Sequence, residues 1–169
     1  MATLTLDATV AGPNSNSYCT LASCQHILAE NIHIYSTFAS LSTANAEACL
    51  IYATHILDEK CDWVGNRGST TQALRWPRND VYDTDGEAID TNTIPEFLRR
   101  AVSFFGYYLS QSNRISEADT LGFSRLDAGS LRMDIDKYDR QKIIPNPVWD
   151  IVKPYCTSTE SRGRTLVRK

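Results

Sequence analysis

The stretch ANAEACLIYATHILDEKCDW at residues 44–63, continuing as VGNRGSTTQALRWPR at residues 64–78, decides how the rest of the chain is read. Ala46, Cys49, Leu50, Ala53, Ile56 and Leu57 recur at three-and-four spacing and make one apolar face. Ala48, Ile51 and Tyr52 carry apolar character round a second. A helix apolar on two faces needs neighbours on both sides. Ser42 or Thr43 is placed to begin it, and it is expected to end near Asp62, before Gly65-Asn66-Arg67-Gly68-Ser69 breaks the pattern. Trp76 is followed by Pro77, which pushes its backbone away from helical dihedrals, so Gln72 to Arg78 reads as extended. The indole is large enough to plug a core. Gln72, Arg75, Trp76 and Arg78 therefore read either as a loop anchor or, through the two arginines, as a partner contact.

Working outward, Ser17 or Thr20 can cap a helix running to about Asn31, with Leu21, Cys24, Ile27 and Leu28 on one face. Residues 32–41 suit a loop or a short helix. Thr93 can cap a third long helix with Pro95 in its first turn. Ile94, Phe97, Leu98, Ala101, Val102, Phe105 and Leu109 share a face there, widened by Phe104, Tyr107 and Tyr108, and this helix is expected to pair with the central one. Beyond Leu121 the apolar period becomes two, which predicts a β-hairpin over about residues 121–136 around Asp127-Ala128-Gly129-Ser130. Asn146 and Pro147 begin a last short helix that is over by about Cys156. The predicted fold is mainly α: a small helical bundle with one β-hairpin and extended N- and C-terminal arms. Residues 1–16 are the N-terminal arm, 17–156 the helical domain and 157–169 a basic C-terminal arm.

At 169 residues the chain supports one core, and no apolar run is long enough to cross a bilayer. Its start lacks the basic end and continuous apolar segment of a secretory signal, so a cytosolic protein is expected. The formal charge of −3 hides an asymmetry: residues 1–94 carry 4 Lys/Arg against 11 Asp/Glu, whereas residues 95–169 carry 13 against 9. Proteins that coat nucleic acid usually carry a basic excess, and here the excess is only local. Five cysteines, without C-x-x-C spacing, read as reduced thiols acting as small hydrophobes, and Cys19, Cys24 and His26 lack the paired spacing of a zinc module. His55, with Asp58 and Glu59 following, has no nucleophile near it in sequence and reads as a packing or surface residue. Asp80 to Asp90 superficially resembles a calcium loop. With Gly86 at the sixth position, however, Val81 and Asn92 stand where acidic ligands are required, so Asp85-Gly86 reads as a tight turn. No catalytic, cofactor or metal site is expected, and the chain is read as a non-enzyme.

Gln72-Ala73-Leu74-Arg75-Trp76-Pro77-Arg78, then Asp83-Thr84-Asp85-Gly86 and Ile94-Pro95, resemble a family of tailed-phage proteins. Its members are described either as head-to-tail connector (adaptor) proteins or as DnaT-like single-stranded-DNA-binding proteins. The adaptor description, the one that the helical core, single hairpin and basic tail put first, implies a structural virion protein at the head–tail junction, assembled in the host cytoplasm. Its subunits would form a ring, a dodecamer in register with the portal protein, and hold a downstream tail protein (nozzle or tail-tube component), with DNA only passing through the channel. On that reading Arg162, Arg164, Leu166, Val167, Arg168 and Lys169 of the basic tail bind the portal. The other description implies an accessory factor in phage replication, with a basic, aromatic groove built from Trp76, Arg75, Arg78, Arg99 and Arg100.

Overall fold

Two hydroxyls open helices in the computed structural model, which describes residues 4–116, 125–128, 131–134 and 142–159. Thr20 Oγ1 accepts from the Ser23 N–H at 3.2 Å at the start of α1 (Leu21–Ala29), and Ser42 Oγ accepts from the Asn45 N–H at 3.3 Å at the start of α3 (Thr43–Lys60). Each satisfies a donor that has no partner within its helix. Between them α2 spans Tyr35–Ala39, so the ambiguous segment holds a short helix. The third long helix, α4 (Glu96–Gln111), is capped by Pro95 and not by Thr93: the Pro95 carbonyl accepts from the N–H groups of Leu98 and Arg99 at 3.1 and 3.2 Å. Proline suits this place because its φ of −58° leads into helix and its missing N–H costs nothing there.

The expected pairing of α3 with α4 forms the core. Leu50, Ala53 and Leu57 on α3, and Leu98, Ala101, Val102 and Phe105 on α4, are fully buried. A Cβ on Gly106 would lie 3.0 Å from Leu50 Cδ2, so the lack of a side chain lets the two helices approach closely. The second face of α3 is narrower than its composition suggests. Ile51 and Thr54 are buried, the Thr54 hydroxyl donating to the Leu50 carbonyl at 2.9 Å, but Tyr52 is 42% exposed. The hub is α4 rather than α3, because α4 packs against α1, α3 and α5 (Asn146–Val152).

Short antiparallel ladders complete the architecture. The end of α3 runs directly into β1 (Cys61–Trp63), which pairs with β6 (Cys156–Ser158) in the register Cys61↔Ser158, Asp62↔Thr157, Trp63↔Cys156. Thr157 and Ser158 thus belong to the body, where the sequence reading had already begun the arm. Next, β2 (Asn66–Arg67) pairs with β3 (Arg78–Asn79). The expected hairpin is present as β4 (Arg125–Ala128) and β5 (Leu131–Asp134); its ladder includes Asp127 and Ala128, leaving only residues 129–130 between the strands.

Residues 5–16 form a closed loop where an extended arm was expected. The Asn16 carboxamide donates to the Thr5 carbonyl at 2.9 Å and accepts from the Asp7 N–H at 2.7 Å, and the Gly12 carbonyl takes the Ala73 N–H at 3.0 Å. Ser15 and Ser17 are buried beneath it. Cys19, Cys24, Cys61 and Cys156 are buried and Cys49 half-buried, all as free thiols. Burial pushes the Cys19 thiol up to about 11 and the Cys24 thiol up to about 12, which keeps both neutral, as small hydrophobes should be. The basic-tail residues Arg162, Arg164, Leu166, Val167, Arg168 and Lys169 lie outside the described residues.

Candidate nucleic-acid interface

The loop joining β1 to β3 has little repeating backbone pairing of its own, so its carbonyls must find donors elsewhere. Three arginines supply them. Arg67 Nη2 donates to the carbonyls of Gln72, Ala73 and Leu74 at 2.7, 3.2 and 3.1 Å. Arg78 donates from Nε to Val64 at 2.7 Å, and from its terminal nitrogens to Trp63 at 3.2 Å, to Arg75 at 3.3 Å and to Gly65. Arg75 Nη1 donates to Cys61 at 3.1 Å. Arg67 and Arg78 face each other across the β2–β3 ladder, where like charges repel, and each guanidinium leaves the pair for a separate set of carbonyls. Burial, together with the nearby Arg75 and Arg67 charges, lowers the pKa of Arg78 from its usual value.

Gln72 is buried and spends its carboxamide on the same loop, donating to Leu74 and Pro77 at 2.9 and 3.1 Å and accepting from the Ser69 N–H at 2.8 Å. Trp76 is only 1% exposed and the Trp76–Pro77 bond is cis. Its ring meets Trp63 and Phe97 edge-on at 5.7 and 5.5 Å, and Phe97 stacks on Tyr155 at 3.9 Å. Gln72 and Trp76 are anchors, and Trp76 has no face left for a base.

Beneath the loop, Tyr18 and Asp58 tie three chain segments together. The Tyr18 hydroxyl donates to Asp58 Oδ1 at 2.6 Å and accepts from the N–H groups of Arg75 and Trp76 at 3.1 and 3.2 Å. Asp58 also accepts from Trp63 Nε1 at 3.2 Å and from the Arg75 N–H at 3.0 Å. Burial pushes the Asp58 carboxyl up from its ordinary value, against the pull of these bonds, and burial with the Asp58 charge raises the Tyr18 phenol well above its ordinary value.

An open groove of about 640 Å³ runs along this loop, lined among others by His55, Asp58, Glu59, Arg67, Arg75 and Arg78. Arg67 and Arg75 are exposed and Arg78 is half-buried. These are all three arginines of the first 94 residues, and the fold brings them to one place. The structure does not add Arg99 and Arg100 to them. Arg100 pairs with Glu30 at 2.6 Å and lies over the Phe104 ring, and Arg99 lines a different hollow. Arg67 and His55 are the groove residues that sequence reasoning missed, as it missed Tyr18 beneath the loop. Arg67 stood in a run legible only as a helix breaker, and the carbonyls it holds have no sequence signature.

The groove thus gathers three arginines, with Asp58 and Glu59, on one side of a loop-bearing helical domain. A family model described as "Putative DnaT-like ssDNA binding protein" matches residues 2–169, and the chain belongs to that family. No curated protein and no solved structure matches the chain. The family match corrects the adaptor reading: it gives no support to a head-to-tail connector, and it points to single-stranded DNA as partner in place of the portal, a tail component and a ring of copies.

Proposed function

We propose that this chain is a single-stranded-DNA-binding accessory protein of DNA replication that acts by binding and not by catalysis. The observation that carries the reading is the convergence of Arg67, Arg75 and Arg78 on one groove in the acidic half of the chain, and the family match supports it. A guanidinium has five N–H donors, more than the carbonyl bonds of Arg67 and Arg75 occupy, so each can hold the loop and still meet a phosphate. Because those bonds fix the guanidiniums before DNA arrives, little side-chain freedom is lost on binding. His55 is exposed on α3 and lines the groove, where its ring can meet an unstacked base. Two neutralised phosphates on a single strand correspond to a slope of about −1.4 in log K against log salt.

Fluorescence anisotropy with a labelled single-stranded oligonucleotide across a salt series tests this. Arg75→Ala is expected to raise Kd several-fold and to make the salt slope shallower by about 0.7, the share of one phosphate contact. Binding that ignores salt, or an unchanged slope in the variant, would remove the groove from consideration.

A further inference from the structure

The groove has two unlike walls. On the loop side stand Arg67, Arg75 and Arg78; on the α3 side stand His55 and Glu59, four residues apart and so on one helix face, about 6 Å from each other along the axis. Asp58, between them in sequence, has its carboxylate spent on Tyr18, Trp63 and the Arg75 N–H. The Glu59 side chain is 70% exposed, and its Oε1 meets the neighbouring Lys60 Nζ at 3.1 Å. An exposed pair of this kind contributes little and yields to a competitor. A carboxylate has about four acceptor positions and no donor, so Glu59 keeps acceptor positions open to the groove.

These walls sort a strand of nucleic acid. Guanidiniums attract phosphates and the Glu59 carboxylate repels them, so the backbone lies on the loop side and the bases turn towards α3. There the His55 ring is a stacking surface, and Glu59, one turn further on, meets the edge of what is stacked. A carboxylate requires N–H donors at that edge. On its Watson–Crick edge guanine sets two N–H groups, N1 and N2, side by side, which suits a carboxylate bound through both. Adenine and cytosine place one amino group beside a bare ring nitrogen, and thymine has one N–H between two carbonyl oxygens; the bare nitrogen and the carbonyls repel a carboxylate. We infer that Glu59 is a specificity-determining residue that selects guanine in the bound strand, its carboxylate accepting from N1–H and N2–H. The inference rests on the single-stranded-DNA reading above. In a duplex that edge is already paired with cytosine, so the same contact favours single strands over double.

The test measures Kd by anisotropy for three strands of equal length: all-dT, dT carrying isolated guanines, and the same strand with hypoxanthine, which lacks the 2-amino group, in place of guanine. Wild type is expected to bind the guanine strand about tenfold more tightly than all-dT, the value of one good two-point base contact, with the hypoxanthine strand between them. Glu59→Ala, at an exposed position where alanine suits a helix, is expected to bind all three strands alike and all-dT no more weakly than wild type does. Lys60→Ala breaks the same ion pair and should keep the guanine preference; its loss there would make the pair responsible and overturn the inference. So would equal binding of the three strands by wild type, or a preference that survives in Glu59→Ala. If wild type binds none of the strands, the single-stranded-DNA reading itself is wrong; if Arg75→Ala weakens all three while Glu59→Ala changes no preference, only the guanine contact is.

Discussion

The α3–α4 interface and the loop of residues 61–79 sit side by side and are held by opposite means. Between the helices, fully buried Leu50, Leu57, Val102 and Phe105 pack without help from side-chain hydrogen bonds across the seam. In the loop, Arg67, Gln72, Arg75 and Arg78 bind backbone carbonyls, and Tyr18 and Asp58 bind it from below. Burial is nondirectional and tolerates small shifts, whereas a guanidinium shared among three carbonyls fixes positions to within hydrogen-bond range. The rigid polar loop is the part that can present charges in a set pattern to a ligand. Phe105→Ala tests the apolar side of the contrast and has the largest expected effect, about 3–5 kcal/mol lost from the whole domain. Urea unfolding should show a lower midpoint in one cooperative step, with the loop lost along with the helices. A separate early loop transition would break the comparison, because it would make the loop an independent unit.

Tyr18→Phe tests the polar side while leaving almost the same volume in place. It removes the hydroxyl that joins Asp58 to the N–H groups of Arg75 and Trp76. Arg75 N–H still has Asp58, but the Trp76 N–H is buried and loses the acceptor described for it. The expected loss is about 1–3 kcal/mol, smaller than for Phe105 and reached with no cavity. The same variant should weaken single-stranded-DNA binding beyond what its stability loss explains, because Arg75 loses its support. An unchanged urea midpoint would show that the loop does not depend on this hydroxyl.

The same contrast explains how much could be read in advance. Helices announce themselves through spacing, so α1, α3, α4 and α5 were legible from Cys24, Ala53, Phe105, Val148 and their neighbours, and the α3–α4 pairing followed from matched apolar faces. Trp76 as a plug was legible from its size beside Pro77. Pairing of β1 with β6 was not, because three residues are too few to show an alternation and the two strands lie far apart in sequence. Of the groove, Arg75 and Arg78 were legible as candidates. Arg67 was not, since its partners are carbonyls that every residue carries, and Tyr18 and Asp58 reach the loop at Arg75 and Trp76 only through contacts distant in sequence. The family resemblance offered two descriptions at once; the adaptor was put first because a helical core, one hairpin and a basic tail suit it and net acidity speaks against DNA binding, and the family match favours the other description.

The smallest effect concerns Asp58, where the two kinds of force act on one carboxylate. Hydrogen bonds from Tyr18, Trp63 and the Arg75 N–H favour its charged form; burial disfavours it and is the larger influence, so its folded pKa stands above the ordinary 3.8. The folded protein then holds this proton more tightly than the unfolded chain does. The associated stability is fully present below pH 3.8 and is lost as pH rises through the folded pKa. Asn at this position has no such proton, so the stability of wild type relative to Asp58→Asn should shrink as pH rises from 3.8 and then level off. Urea midpoints of the two proteins measured in parallel across that range would show it. If the difference instead grows with pH, the hydrogen bonds outweigh burial, and the loop is even more strongly a polar construction than the helices beside it.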